Sequence, residues 1–503
     1  MRKLDVLFVH TNASEKIYQG LSKNHSAIEQ PIWAAMLANH CRVNNFGVQI
    51  LDCEAEQLSW KESAKIINDI NPRVVCFVVY GQQPSASSQN MVGAVGTARL
   101  VKQLNPSLKT LFVGGHISAL PREVLKHNCI DMIAQNEGVY TISNLLRTDL
   151  SLNQLKKVKG LGYKDDGVVT LNVPEMIVPR ERLEIDLPGM AWDLLPDFKK
   201  YRTAGWHSWS NNTETAPFAS LYTSLGCPYR CSFCMINIIN RTDPSPDIAS
   251  ADSNKFRWWN PEFIIKQFDH IAEMGVKNVK IADELFVLNP KHFGKICEMI
   301  DERGYDFNIW AYSRIDTCRP KYLDMLKKAG VNWLGLGIEN PNQTLRQEIH
   351  KDQFKNVKIG DLMRDMRSAG INVGGNYIFG LPMDTKESMR QTLDFAMENK
   401  TEMVNFYCAM AYPGSPLYLQ AKKEGWELPT KYEGYSQHSY ETLNLSNNNL
   451  AAKEILEFRD KAFIEYNSNP EYLELLENKF GRVAKDNMEN TLKIKLKRRL
   501  LGD

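Results

Sequence analysis

Short apolar runs alternate with longer stretches whose apolar positions recur every three or four residues, and this alternation covers most of the chain. Leu4–Val9, Val48–Leu51, Val74–Val79, Thr110–Val113 and Asp131–Ile133 read as strands, with helices at Ile32–His40, Trp60–Ile70, Val92–Leu104, Pro121–His127 and Thr141–Leu146. Val74–Val79 (VVCFVV) has no polar face, and a strand apolar on both sides lies between two helical layers. Residues 1–148 therefore predict a doubly wound, Rossmann-like α/β domain with a parallel sheet. Such sheets bind ligands beyond the carboxyl ends of their strands, here His10-Thr11-Asn12, Tyr80-Gly81-Gln82-Gln83-Pro84 and Gly114-Gly115-His116. Residues 149–215 lose the rhythm. The segment 163–172 (YKDDGVVTLN) predicts a hairpin turning on Asp166-Gly167, and Pro174, Pro179, Pro188 and Pro196 mark the rest as a connector.

The alternation returns over residues 216–415, with strands at 220–224, 276–282, 307–313, 333–338, 372–379 and 404–410 and helices at about 261–274, 290–304, 320–329, 355–369, 386–399 and 416–424. Six βα units fall short of the eight that close a full barrel, so a partial (β/α)6 TIM-like barrel is expected. Residues 416–503 predict a small helical region whose basic end, 492–500 (LKIKLKRRL), reads as a solvated or frayed helix terminus rather than a surface for an anionic partner.

Composition changes this picture little. Hydrophobic residues make up 43% and charged residues 24% of 503, which excludes wholesale disorder and fibrous architecture. Sixty-one Lys and Arg against 59 Asp and Glu argue against a protein that coats nucleic acid or an anionic membrane. The opening MRKLDVLFVHTNASEK lacks a secretory pattern and no run is long enough to span a bilayer, so a cytoplasmic multidomain protein with no membrane contact is expected.

The cysteines change it a great deal. Cys41, Cys53, Cys76, Cys129, Cys297, Cys318 and Cys408 are scattered among mostly apolar neighbours and read as buried small hydrophobes. Cys227, Cys231 and Cys234 instead fall in one loop, Gly226-Cys-Pro-Tyr-Arg-Cys-Ser-Phe-Cys234, directly after the first barrel strand. Three thiolates at that spacing suit iron–sulfur ligation with one iron left open to a small molecule. Structural zinc is the competing reading, but it needs a fourth ligand, and neither Cys nor His follows Cys234 at a finger-like interval.

Cys227-x-x-x-Cys231-x-aromatic-Cys234 at the end of a first barrel strand resembles the radical S-adenosylmethionine superfamily. The resemblance implies a 4Fe-4S cluster whose open iron is chelated by S-adenosylmethionine, reductive cleavage to a 5′-deoxyadenosyl radical, and an external electron donor of flavodoxin or ferredoxin type. It extends along the barrel. Phe233 matches the aromatic residue beside the adenine; Asp283-Glu284 match the acidic pair near the methionine amino group; Arg314 in Ala311–Asp316 can reach the carboxylate. Glu339 in Gly335–Asn340 matches the residue near the ribose, and Gly380 opens a Gly-Leu-Pro turn after the fifth strand, as Tyr412–Pro416 follows the sixth.

Within that superfamily, the order of doubly wound domain, connector, barrel and helical tail resembles the cobalamin-binding subgroup. The implied cobalamin contacts are Asn12, Tyr80, Gly81, Gln82 and Gln83, then Gly114, Gly115 and His116, then Glu137 and Gly138. The Asp-x-His-x-x-Gly motif of methionine-synthase-type domains is absent, and His10, His116 and His127 lack its spacing, so no cobalt ligand from that motif is expected. Some subgroup members keep the domain as a scaffold, which is the alternative here.

These readings imply an enzyme that methylates an unactivated carbon of a small-molecule or natural-product substrate. The alternatives are a non-methylating radical reaction (rearrangement, cyclisation, oxidation or epimerisation) on the same scaffold, and a non-catalytic cobalamin- or redox-responsive protein. Nucleic acid is disfavoured as a substrate by the charge balance. Trp192, Trp206, Trp209, Trp258 and Trp259 are expected to pack rather than to line a cavity, and polar 241–254 reads as a substrate-covering or mobile loop. No catalytic side chain is assigned.

Overall fold

The computed structural model describes residues 4–81, 83, 85–211, 214–239, 255–351 and 357–503. The polar segment 241–254 and Gln82 lie outside them.

Strands β1 (Val6–His10), β2 (Val48–Asp52), β3 (Val74–Val79), β4 (Lys109–Gly114) and β5 (Met132–Ala134) form the parallel part of a seven-stranded sheet, in the order β2-β1-β3-β4-β5. Every residue of β3 is buried, as its unbroken apolar run requires. Helices Ile32–Val43, Trp60–Ile70 and Ala86–Leu104 supply the crossovers. Trp60–Ile70 begins at a capping box in which Ser59 and Glu62 satisfy each other's end of the helix.

The last two strands correct the expected connector. The hairpin β6 (Leu161–Asp165) and β7 (Val168–Leu171) does form, but β6 pairs antiparallel with β5. The sheet thus runs past residue 148, because the short β5 has an open edge that the hairpin covers.

The second sheet is parallel throughout. It comprises β8 (Phe218–Leu221), β11 (Asn278–Ile281), β12 (Asn308–Arg314), β13 (Val331–Glu339), β14 (Asn372–Phe379) and β15 (Met403–Cys408), ordered β15-β14-β13-β12-β11-β8. Between β8 and β11, β9 (Ser224–Leu225) and β10 (Arg257–Trp258) pair antiparallel as a short ribbon. Helices Pro261–Glu273, Pro290–Arg303, Ile359–Ser368, Lys386–Glu398 and Pro416–Glu424 alternate with the strands, as the apolar periodicity predicts. The expected tryptophan packing is found: Trp206 meets Trp310 and Trp333 edge-on at 4.8 and 5.0 Å, and buried Trp259 donates to the Leu187 carbonyl at 3.0 Å.

The tail holds helices Ala452–Asn467, Pro470–Phe480 and Arg482–Leu492, but its basic end is not frayed. Arg498 is 1% exposed. Its guanidinium meets Asp460 at 3.0 Å and donates to the carbonyls of Gln437 and Ser439 at 2.8 and 3.2 Å. The segment around 437–442 is thereby tied to the chain's end, and this segment reaches the site described next.

Candidate active site between the two sheets

The three-cysteine loop leaves the barrel through a left-handed turn at Gly226 (φ 84°), where a side chain would be strained. Two further backbone bonds hold it: Ser232 donates to Ile349 O at 3.1 Å, and Leu417 donates to Ser232 O at 2.8 Å. The loop is thus fastened to the segments beyond β13 and β15. Cys227, Cys231 and Cys234 are free thiols lining one cavity. Burial pushes Cys227 up to about 12 and raises Cys234 well above the ordinary thiol range, so these two hold their protons until a metal displaces them. Among the described residues no three His, Cys, Asp or Glu side chains converge as a single metal ion requires. Three thiols lining one cavity suit a multi-iron cluster, and a closed zinc site would need a fourth ligand beside them.

Arg314, at the end of β12, lines this cavity beside the cysteines. It meets Asp316 through Nε at 2.8 Å, lies 3.6 Å over the Tyr229 ring, and points Nη1 at Cys231 Sγ, 3.7 Å away. The acidic pair after β11 divides its work. Asp283 is fully buried and accepts from the Thr223 N–H and hydroxyl, both at 2.6 Å, and from Ser224 at 2.5 Å, so it braces the entry to the cysteine loop. Glu284 has no hydrogen-bond partner among the described residues and lines the cavity beside the cysteines; burial, then Asp283, pushes it up to about 8. A half-buried carboxylate of this kind, without a partner of its own, is matched by an incoming ammonium group.

Glu339 ends β13 at an irregularity in its pairing with β14 and adopts φ 60°, which swings its carboxylate into the cavity and onto Lys351. Phe233 also lines the cavity. Gly380 does not. It turns at φ 77°, donates to Asp384 at 2.9 Å, and a Cβ there would lie 2.7 Å from Ile455, so its role is the turn itself.

A second cavity opens at the carboxyl ends of β1, β2 and β3. Strand order reverses between β1 and β3, the position where doubly wound sheets take ligands. It spans about 1380 Å³ counted out to its mouth. Tyr80, Gly81 and Gln83 line it, as expected, together with His10, Trp33 and Glu54. Trp33 stacks on Tyr80 at 4.6 Å, and Gln83 donates to Tyr312 of the barrel at 2.7 Å. A Cβ on Gly81 would fall 2.1 Å from the Ala86 Cβ, so the glycine is required by the close packing of the turn against the start of the next helix.

The other expected contacts of this cavity are not brought to it. Asn12 accepts from the Ser14 N–H and the Trp60 indole, holding the turn. Gly114 has φ 152°, and a Cβ there would lie 2.1 Å from Val79 O; Gly115 packs on Ser87 and Met235. His116 is buried against Ser88 at 3.0 Å and Tyr432. Glu137 forms a buried ion pair with Arg257 of β10, and Gly138 starts a helix beneath Val113. In each case tight packing in the domain interior takes up the residue. Conversely, Lys351, Gln437 and Tyr407 line the site without a signal in the sequence. Gln83, Ser85, Tyr312, Tyr407, Tyr412 and Gln437 line both cavities, which are therefore two lobes of one cleft.

Comparison with known proteins agrees with this geometry. The family model described as the radical SAM superfamily matches residues 221–396, and the B12 binding domain matches residues 23–146. The chain is 26% identical over 469 residues to an uncharacterised methyltransferase of Pyrococcus horikoshii, covering 91% of this chain and 94% of that one. It is 21% identical to an anaerobic magnesium-protoporphyrin IX monomethyl ester cyclase of Cereibacter sphaeroides, covering 90% and 68%. Among solved structures, the cobalamin-dependent S-adenosylmethionine radical enzyme OxsB aligns with TM-score 0.68 and 17% identity, covering 98% of this chain and 71% of that one. The radical S-adenosylmethionine methyltransferase TsrM of Kitasatospora setae aligns with TM-score 0.60 and 16% identity, covering 84% and 75%. The fold and the two domain matches define a radical S-adenosylmethionine enzyme. This chain belongs to the group that carries a B12-binding domain, and its cofactors are a 4Fe-4S cluster, S-adenosylmethionine and cobalamin. No helix among the described residues is long and apolar enough to cross a membrane.

Proposed function

We propose that this protein is a cobalamin-dependent radical methylase acting on an unactivated carbon of a small molecule. The observation that carries the reading is the single cleft, in which the cysteine lobe and the β1/β3 lobe share six wall residues. Bound there, the cluster and S-adenosylmethionine supply a carbon-centred radical, and the corrin supplies a transferable methyl group.

In this reading Cys227, Cys231 and Cys234 hold the cluster. Glu284 takes the methionine ammonium, the Arg314 guanidinium faces the carboxylate, Glu339 accepts from the ribose, and Phe233 packs on the adenine. Tyr80, Gly81 and Gln83 border the corrin. Tyr312, Tyr407 and Tyr412 form the wall between the lobes. Burial raises all three phenols, Tyr412 to about 12, so their hydroxyls stay protonated and act as donors. Their rings keep water from a radical formed between them. The functional division we infer is a cobalamin unit, a barrel unit and a helical tail that brings Gln437 to both lobes, with electrons delivered by a small flavodoxin- or ferredoxin-type donor.

Incubation with S-adenosylmethionine bearing a trideuterated methyl group, a reductant and a small-molecule extract should deposit labelled methyl in a product. It should also release S-adenosylhomocysteine and 5′-deoxyadenosine in about equal amounts. A second reading, a non-methylating radical reaction, is favoured by the cyclase among the relatives. It predicts 5′-deoxyadenosine with an altered product and no S-adenosylhomocysteine.

A further inference from the structure

Beyond β1 the chain makes a short excursion, the helix Ser14–Tyr18 and the 3-10 turn Gln19–Ser22, before it returns to the domain. Ser14, Ile17 and Tyr18 line the β1/β3 lobe from this side, and Gln437 and His438 of the tail line it from the other. The two sides meet in a seam. The Ser436 hydroxyl donates to Ile17 O at 2.8 Å, and the Tyr18 and His438 rings lie 5.7 Å apart. Gln19 supplies most of the bonding. Its Nε2 donates to the carbonyls of His438 and Lys497 at 2.7 and 3.1 Å, and its Oε1 accepts from the Lys497 N–H at 3.2 Å. One carboxamide thus ties the excursion to two places in the tail.

The tail side of the seam is fixed to the barrel. Gln437 exchanges bonds with the Cys408 N–H and carbonyl, both at 3.0 Å, and Arg498 holds the carbonyls on either side of His438. The root of the excursion is fixed too. Arg202 donates to the carbonyls of Ser22, Lys23 and Ser26 at 3.2, 2.6 and 3.2 Å, and Glu29 meets Lys280 of β11 at 3.1 Å. Residues 14–21 lie between these anchors as two short helical turns. Gln19 itself sits at φ 51° and ψ −133°, a conformation that costs a residue with a side chain and persists only where its surroundings hold it. Short turns fastened at their far end by one side chain are the segments that open while the rest of a domain stays folded. We propose that residues 14–21 are a hinged cover over the β1/β3 lobe, latched to the tail by Gln19, and that cobalamin passes in and out when the latch is undone. This rests on the reading that cobalamin occupies that lobe. Gln19 lies outside the lining of the lobe and acts only by holding the cover shut.

The test uses the full chain, prepared anaerobically with its cluster, and has two readouts. In hydrogen exchange followed by mass spectrometry, residues 14–21 of the unsubstituted protein are expected to take up deuterium before β1 and β3 do. Gln19→Ala should speed that segment about tenfold while β13 and β14 keep their rate, because the bonds lost are those of the seam alone. Protein loaded with radiolabelled hydroxocobalamin is then chased with an excess of the unlabelled compound. Label should leave Gln19→Ala about tenfold faster than the unsubstituted protein, with the iron content unchanged. The exchange measurement on unsubstituted protein needs no variant, so a poorly folding Gln19→Ala leaves the test intact. Residues 14–21 exchanging as slowly as β3, or label released at one rate from both proteins, would overturn the proposal. A cover that opens in protein retaining no cobalamin would contradict the cofactor reading and, with it, the cargo assigned here.

Discussion

Replacing Cys227, Cys231 and Cys234 together by alanine will bring the iron of anaerobically purified protein to background and end 5′-deoxyadenosine formation, whereas replacing Cys408 or Cys297 by serine will leave about four irons per chain. The asymmetry follows from position. The three loop thiols line one cavity, with Arg314 set against Cys231. The other seven are buried, and although Cys408 also reaches the lining of that cavity, desolvation pushes the thiols of Cys41, Cys53, Cys297, Cys318 and Cys408 up to about 12. An inert thiol in apolar packing neither deprotonates nor meets a second ligand. Iron analysis with single-turnover quantitation of 5′-deoxyadenosine decides the matter. A triple variant that kept its iron would remove the basis of the site.

The second large effect is on stability. Glu137 and Arg257 are 1% and 4% exposed and form an ion pair that ties the end of the first sheet to β10, the ribbon strand beside the cysteine loop. Glu137 also accepts from the Val178 N–H at 3.0 Å, and Arg257 donates to the Val178 carbonyl. Removing one charge from a buried pair costs about 3–5 kcal/mol, because the other remains desolvated opposite a neutral group. Glu137→Gln should therefore lower the urea midpoint by an amount equivalent to that cost. Replacing both residues, Glu137→Leu with Arg257→Met, should recover most of the loss, since two apolar groups of similar volume leave no buried charge. If Glu137→Gln unfolds at the midpoint of the unsubstituted protein, the pair does not hold the two sheets together.

Glu137 also shows where a sequence stops being legible. Its neighbourhood resembles a cofactor-closing segment, yet the side chain turns inward to Arg257, and linear motifs carry no side-chain direction. Gly114 is similar: the glycine is required, but by the Val79 carbonyl beneath it. What periodicity alone could establish came through nearly intact, because continuous apolar runs such as VVCFVV have one stable place in an α/β fold. The cysteine loop was legible because its ligands are local. Lys351 and Gln437 were not, since each arrives from an irregular segment whose path depends on distant contacts: Lys351 on the swung Glu339, and Gln437 on Arg498 at the far end of the chain. The hairpin was visible as a hairpin, but nothing in its residues says that the edge it covers is β5.

The claim on which everything else depends is that one cleft between the two sheets holds both the cluster and cobalamin. The most direct measurement is the cofactor content of protein prepared anaerobically with iron, sulfide and hydroxocobalamin and freed of unbound material. Iron analysis and the absorption spectrum are taken on the same sample. About four irons and one cobalamin per chain are predicted. A full complement of iron with no retained cobalamin would contradict the account.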